Sequence, residues 1–183
     1  MFGIFTDPEK IASKVFDEAI NPTISGIKSL YEIETKNRFL PEELWEKMYF
    51  IGFFYGLCVS VISASQKRAA TAKDSRIALL IFFNYVVPRN LKHLVDGIMR
   101  DCGANDEFAR GLNNAGDIVG LIYGIVKPEL LMNEPHFIRA NQVAKEFIGK
   151  EDQFDDILTS PGYKEIMYKE LIKILFIDEV KKL

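Results

Sequence analysis

Residues 48–66, MYFIGFFYGLCVSVISASQ, run for 19 positions without a charge, and no other stretch constrains the fold as strongly. Glu42, Glu43 and Glu46 precede the run, and Lys67 and Arg68 follow it. As a helix it is long enough to cross a bilayer, which takes about 20 apolar residues. It is equally suited to the centre of an all-helical domain. Two Tyr, three Ser, two Gly and a terminal Gln dilute its apolarity. No second segment is long enough to span, since 77–87 has 11 residues and 118–126 has fewer. The other segments are amphipathic and need an apolar surface to pack on, which a central helix supplies. The expectation is a buried helix. Membrane insertion of 48–66 is the alternative, with the Lys/Arg excess on its C-terminal side then cytoplasmic.

Helix punctuation runs through the whole chain. Asp7-Pro8-Glu9 is a start signal, a capping carboxylate followed by proline at the first helical position. Asn21-Pro22 either kinks that helix or caps a new one. Pro41-Glu42-Glu43 opens a third helix over about 41–71, roughly 45 Å long at 1.5 Å per residue. Its acids sit at the positive end of the helix dipole and Lys67 and Arg68 near the negative end. Asp74-Ser75 caps the next segment, which Val87-Pro88 ends or kinks. A further helix over 88–100 stops around Asp101–Asn105, where Gly103 suits a left-handed cap. Helices run on from near Asp106 to about Val126, from Pro135 to Gly149 and from Pro161 to about Val180. The stretch IALLIFFNYVV reads equally as a strand, but no strand-like partner exists, so helix is preferred. The fold expected is a single all-α domain over 1–183, seven to nine helices around the buried central one.

Composition narrows the function classes. A chain of 183 residues with 14 Phe and 7 Tyr has ample material for one core and none of the signature of disorder. Its net charge of −3 argues against nucleic acid as a partner. The richest basic stretch, Lys67, Arg68, Lys73 and Arg76, reads as a solvated helix end. Two cysteines, Cys58 and Cys102, exclude a disulfide scaffold and fit a reducing cytoplasm. The start, MFGIFTDPEK, lacks the basic leader and apolar core of a secretory signal.

Small residues recur at helical spacing. Gly52, Gly56 and Ser60 form one strip of the central helix, and Gly116, Gly120 and Gly124 repeat the spacing further on. Glycine inside a helix costs about 0.5–1 kcal/mol relative to alanine, so such strips ask for a compensating contact. The plain reading is that the two strips cross inside the bundle. The sharper one is a groove for an apolar ligand, lined by Gly52, Phe53, Gly56, Gly116, Gly120, Tyr123 and Gly124, with Phe54 beside them.

Catalytic chemistry is weakly represented. His93 and Asp96 lie three apart on one helix and offer two metal ligands or an acid–base couple. A third ligand would have to come from His136, Asp101, Asp106 or Asp117, and a lone His-x-x-Asp is more often a surface pair. Asp117 reads as a dipole-stabilised carboxylate near the start of its apolar helix. Glu151, Asp152, Asp155 and Asp156 form an acidic cluster without the glycine turn of a calcium loop, so a solvated surface is the default. No nucleophile elbow, zincin, Walker or dinucleotide fingerprint is present. No metal or cofactor is expected. The sequence gives no positive ground for an enzyme and points to a cytoplasmic helical protein that acts by binding another protein, as an inhibitor, adaptor or toxin-neutralising factor would. Binding of an apolar small molecule or lipid is the alternative.

Overall fold

The computed structural model describes residues 8–67, 69–125, 133–148 and 161–183, and every regular element among them is helical. Helix α1 (Pro8–Val15) passes through a wide π-helical turn, Phe16–Ile20, directly into α2 (Asn21–Thr35). Asn21-Pro22 thus neither breaks the helix nor starts a separate one. Proline has no N–H to give back to the preceding turn and its ring crowds the carbonyl there. The wider turn absorbs both problems, with the Asn21 N–H bonded to the carbonyl of Phe16. Lys36 ends α2 in a left-handed conformation, φ 62°.

The central helix is shorter than 41–71. Glu42–Glu46 form a separate 3-10 turn, Lys47 is extended, and α3 spans Met48–Ser65. The break has a packing reason. It turns both Leu44 and Trp45 inward, and the Trp45 ring stacks on Phe54 at 5.1 Å. By length and a mean hydropathy of 1.7, α3 meets the requirements of a membrane span, yet 67% of it is buried inside the protein.

Helix α4 (Ala72–Ile81) begins one position earlier than Asp74-Ser75 implied. Thr71 is the capping residue, and Asp74 is the third helical residue of a reciprocal capping box. The Thr71 N–H donates to Asp74 Oδ2 at 2.8 Å, and the Asp74 N–H donates to Thr71 Oγ1 at 3.4 Å. Replacing Thr71 with alanine should cost about 1 kcal/mol. Calorimetry would show a melting point lower by about 2–4 °C. A second wide turn, Phe82–Val86, ends where Val87 goes extended before Pro88.

After a 3-10 turn at Arg89–Leu91 come α5 (Lys92–Arg100), another 3-10 turn at Cys102–Ala104, and α6 (Asp106–Ile122). Gly103 lies within that second turn with no positive φ; among the described glycines only Gly124, φ +66°, is left-handed. Helix α7 (Pro135–Ile148) pairs with α8 (Pro161–Ile172), which continues through a third wide turn, Lys173–Ile177, into the short α9 (Asp178–Val180). The acidic cluster at 151–156 and the expected end of a helix at Gly149 lie outside the described residues.

The core is built around α3. One side of it lies along α6, and α4 and α5 pack elsewhere on it. The third wide turn places Phe176 against Phe50, Phe53 and Phe54, with ring centroids 5.6, 5.0 and 5.6 Å apart. Each such buried aromatic contributes about 1.5–3 kcal/mol of transfer free energy. The architecture is an all-α bundle with an apolar helix at its centre.

Candidate functional site

Helices α3 and α6 approach so closely that their backbones touch. A Cβ added at Gly111 would overlap the Tyr49 carbonyl oxygen and come within 2.8 Å of the Phe53 nitrogen. One at Gly52 would overlap the Phe108 carbonyl oxygen, and one at Gly56 would meet the Leu112 Cα at 2.8 Å. Gly52 and Gly56 therefore do face α6, but what they meet there is Phe108–Ala115, with Gly111 at its heart. Gly111 and Ala115 are themselves four apart, a small-residue strip rotated by about 100° from Gly116 and Gly120. The two strips of α6 have different surroundings. The first is locked against α3. At Gly116 the neighbour is looser, and an added Cβ would meet Ser60 Oγ at an ordinary 3.6 Å.

Beyond the locked contact, small residues on both helices leave a groove of about 850 Å³. Its α3 wall is Val59, Ser60, Ser63 and Ala64; its α6 wall includes Gly116 and Gly120, with Tyr123 and Gly124 at the end. Gly124 is no longer helical. It takes the left-handed position of a Schellman cap, with Gly124 N–H on Leu121 O at 3.1 Å and Ile125 N–H on Gly120 O at 2.7 Å. That cap turns Ile125 outward at the groove's mouth, 55% exposed. Lys67 lines the rim. Of the residues the sequence suggested for a groove, Gly116, Gly120, Tyr123 and Gly124 line this one. Gly52 and Gly56 belong to the locked contact, and Phe53 is fully buried against Phe176.

On the far side of α6 lies a polar cluster that the sequence did not bring together. The Tyr49 hydroxyl accepts from Asn114 Nδ2 at 2.8 Å and donates to the carbonyl of Leu175 in the third wide turn. The Arg110 guanidinium lies 4.1 Å above the Tyr49 ring and pairs with Glu107 at 2.7 Å and Glu179 at 3.3 Å. Burial pushes the Tyr49 phenol up to about 12, against the opposing effects of the Asn114 hydrogen bond and the Arg110 charge. Asp117 sits in the middle of α6, away from its start, and bonds His136 Nε2 of α7 at 2.8 Å. A helix-start reading of Asp117 misses this partner because the two residues are 19 positions apart.

The remaining candidates are dispersed. His93 is exposed on α5, and Asp96 is held by Arg100 at 2.6 Å. Among the described residues no three His, Cys, Asp or Glu side chains converge as a metal site would require. Cys58 is buried, which pushes its thiol up and makes it a poor nucleophile, and Cys102 is half-buried and free. The geometry offers grooves and a structural polar cluster. No known protein family, curated protein or solved structure matches this chain. What the surface can do must be argued from these side chains alone.

Proposed function

We propose that this chain acts as a non-enzymatic binding protein that seats a helix of another protein in the groove between α3 and α6. The observation that carries this is the trough itself: about 850 Å³ of apolar space walled by Ser60, Ser63, Ala64, Gly116 and Gly120. Small side chains on two parallel walls let a third helix approach closely, and amphipathic helices dock in such grooves through residues spaced i, i+3, i+4 and i+7. The exposed Ile122, Tyr123 and Ile125 at one end extend the apolar surface a partner would cover. The free thiols of Cys58 and Cys102 and the burial of α3 support a cytoplasmic setting over insertion in a membrane.

The test is a groove-dependent capture. Ser63→Trp fills the trough from the exposed end of α3 and should leave the melting point within about 2 °C, since the site is only half-buried. Chemical cross-linking in native lysate should recover the same partner repeatedly with the wild-type chain and not with Ser63→Trp. Equal recovery with both would sink the reading.

The groove's volume favours one second reading, an apolar small molecule. It lies within the roughly 300–1,000 Å³ of ligand sites, with Ser hydroxyls and Lys67 as polar anchors. Native mass spectrometry would then show an added mass that Ser63→Trp abolishes.

A further inference from the structure

A second concave surface, between α4 and α5, goes beyond that reading. Leu79, Leu80, Phe83 and Met99 make its floor, Arg76 and Arg100 stand at its rim, and it encloses about 630 Å³. Helical spacing extends the rim on both sides: Lys73 precedes Arg76 and Leu80 on α4, and Lys92 precedes Asp96 and Arg100 on α5. The charge there is unbalanced. Residues 67–101 carry seven Lys and Arg against three Asp, a net of +4 in a chain of net −3, so the rest of the chain carries −7. Asp74, the acid of α4, is turned inward at 1% exposure and belongs to the capping box. Asp96 is engaged by Arg100. Among the described residues Lys73, Arg76 and Lys92 have no ion-pair partner.

We propose that this groove docks an acidic amphipathic helix from a partner protein, its apolar face on the Leu79–Met99 floor and its carboxylates against Lys73, Arg76 and Lys92. Concavity selects a helix over a lipid surface. A bilayer is met by protruding apolar side chains, whereas Phe83 and Met99 are half-buried at the bottom of a cleft. Single-stranded nucleic acid needs open ring faces on which to stack bases. Here Phe83 sits edge-to-face on Phe82 at 5.2 Å, and no other aromatic lines the groove. An acidic helix satisfies both the floor and the rim, and the charge complementarity steers its approach.

Fluorescence anisotropy on the full chain tests this with a labelled peptide of about 18 residues, leucine along one helical face and glutamate on the flanks. The peptide should bind, its lysine-for-glutamate counterpart should not, and added salt should weaken binding. Arg76→Glu combined with Lys73→Glu should weaken it about tenfold or more. Leu79→Asp should do the same, and the positions are exposed enough that the variants fold. Arg76→Gln gives an intermediate loss if the charge is what matters. Ser63→Trp, in the other groove, should leave peptide affinity unchanged, which keeps failure here distinct from failure of the α3–α6 reading. Unchanged affinity in Arg76→Glu/Lys73→Glu would overturn the proposal. So would tighter binding of phosphatidylserine vesicles or of a single-stranded RNA than of the acidic peptide.

Discussion

Replacing Gly111 with alanine should remove most of this protein's stability margin, at a cost of about 4 kcal/mol or more. A single methyl group has this effect because of what it meets. Its nearest neighbours are the Tyr49 carbonyl and the Phe53 nitrogen, backbone atoms of a buried helix that cannot rotate away as a side chain does. Relief requires α3 and α6 to separate, and the contacts at Gly52 and Gly56 open with it. Overpacking a core usually costs about 1–3 kcal/mol, and a backbone clash lies above that range. With a typical total stability of about 5–15 kcal/mol, such a loss is decisive. The melting point should drop by about 10 °C or more for a chain of this size. Trp45 is the only tryptophan and is buried on Phe54, so its fluorescence reports the transition. Gly116→Ala and Gly97→Ala are the controls. The first would add a methyl in ordinary contact with Ser60 and the second would meet nothing, so both should be neutral or stabilising by up to about 1 kcal/mol. A Gly111→Ala protein that melts with these controls would refute the locked crossing.

The second large effect is alkaline unfolding between pH 10 and 12. Tyrosine ordinarily ionises near 10.0, and burial pushes Tyr49 and Tyr163 each up to about 12. Folding therefore favours the protonated phenols. Below pH 10 both states keep their protons and the stabilisation is complete. Above it the unfolded chain loses protons first, so stability drains away until the folded-state phenols also ionise near 12. For Tyr49 a displacement of about two units corresponds to roughly 2–3 kcal/mol. Tyr163, whose hydroxyl donates to Asn141 at 2.7 Å, acts in the same direction. Urea titrations across this range should show a falling midpoint. Tyr49→Phe should cost about 1–3 kcal/mol at neutral pH, because Asn114 and the Leu175 carbonyl lose their partner. The same variant should also shallow the alkaline slope. A slope unchanged in Tyr49→Phe would mean that this phenol does not govern it.

The helical class and the buried centre were legible because hydrophobic spacing and proline punctuation are local signals. The break at Lys47 was not, since Pro41-Glu42-Glu43 is a sound helix start and only the pull of Trp45 onto Phe54 interrupts the helix it opens. The crossing shows the same limit more sharply. Glycine count drew attention to Gly116, Gly120 and Gly124, yet the strip that touches α3 mixes Gly111 with Ala115. Spacing identifies a smooth face, but which of two neighbouring faces meets the partner depends on how α6 is rotated. That rotation is set by distant contacts such as Asn114 to Tyr49 and Asp117 to His136. These pairs span 65 and 19 positions, beyond the reach of any periodicity.

The three wide turns, Phe16–Ile20, Phe82–Val86 and Lys173–Ile177, have a consequence for how this sequence tolerates change. A π-helical turn holds one residue more than the regular turn it replaces. Removing a residue from 173–177 would restore an ordinary helix while rotating everything beyond it by about 100°. Phe176 and Ile177 would swing off the aromatic cluster, and Val180 would move with them. Most surface segments of a bundle accept single-residue deletions with a local adjustment. At these three places the reading frame of the helix is itself what aims the side chains, so length there is as constrained as composition.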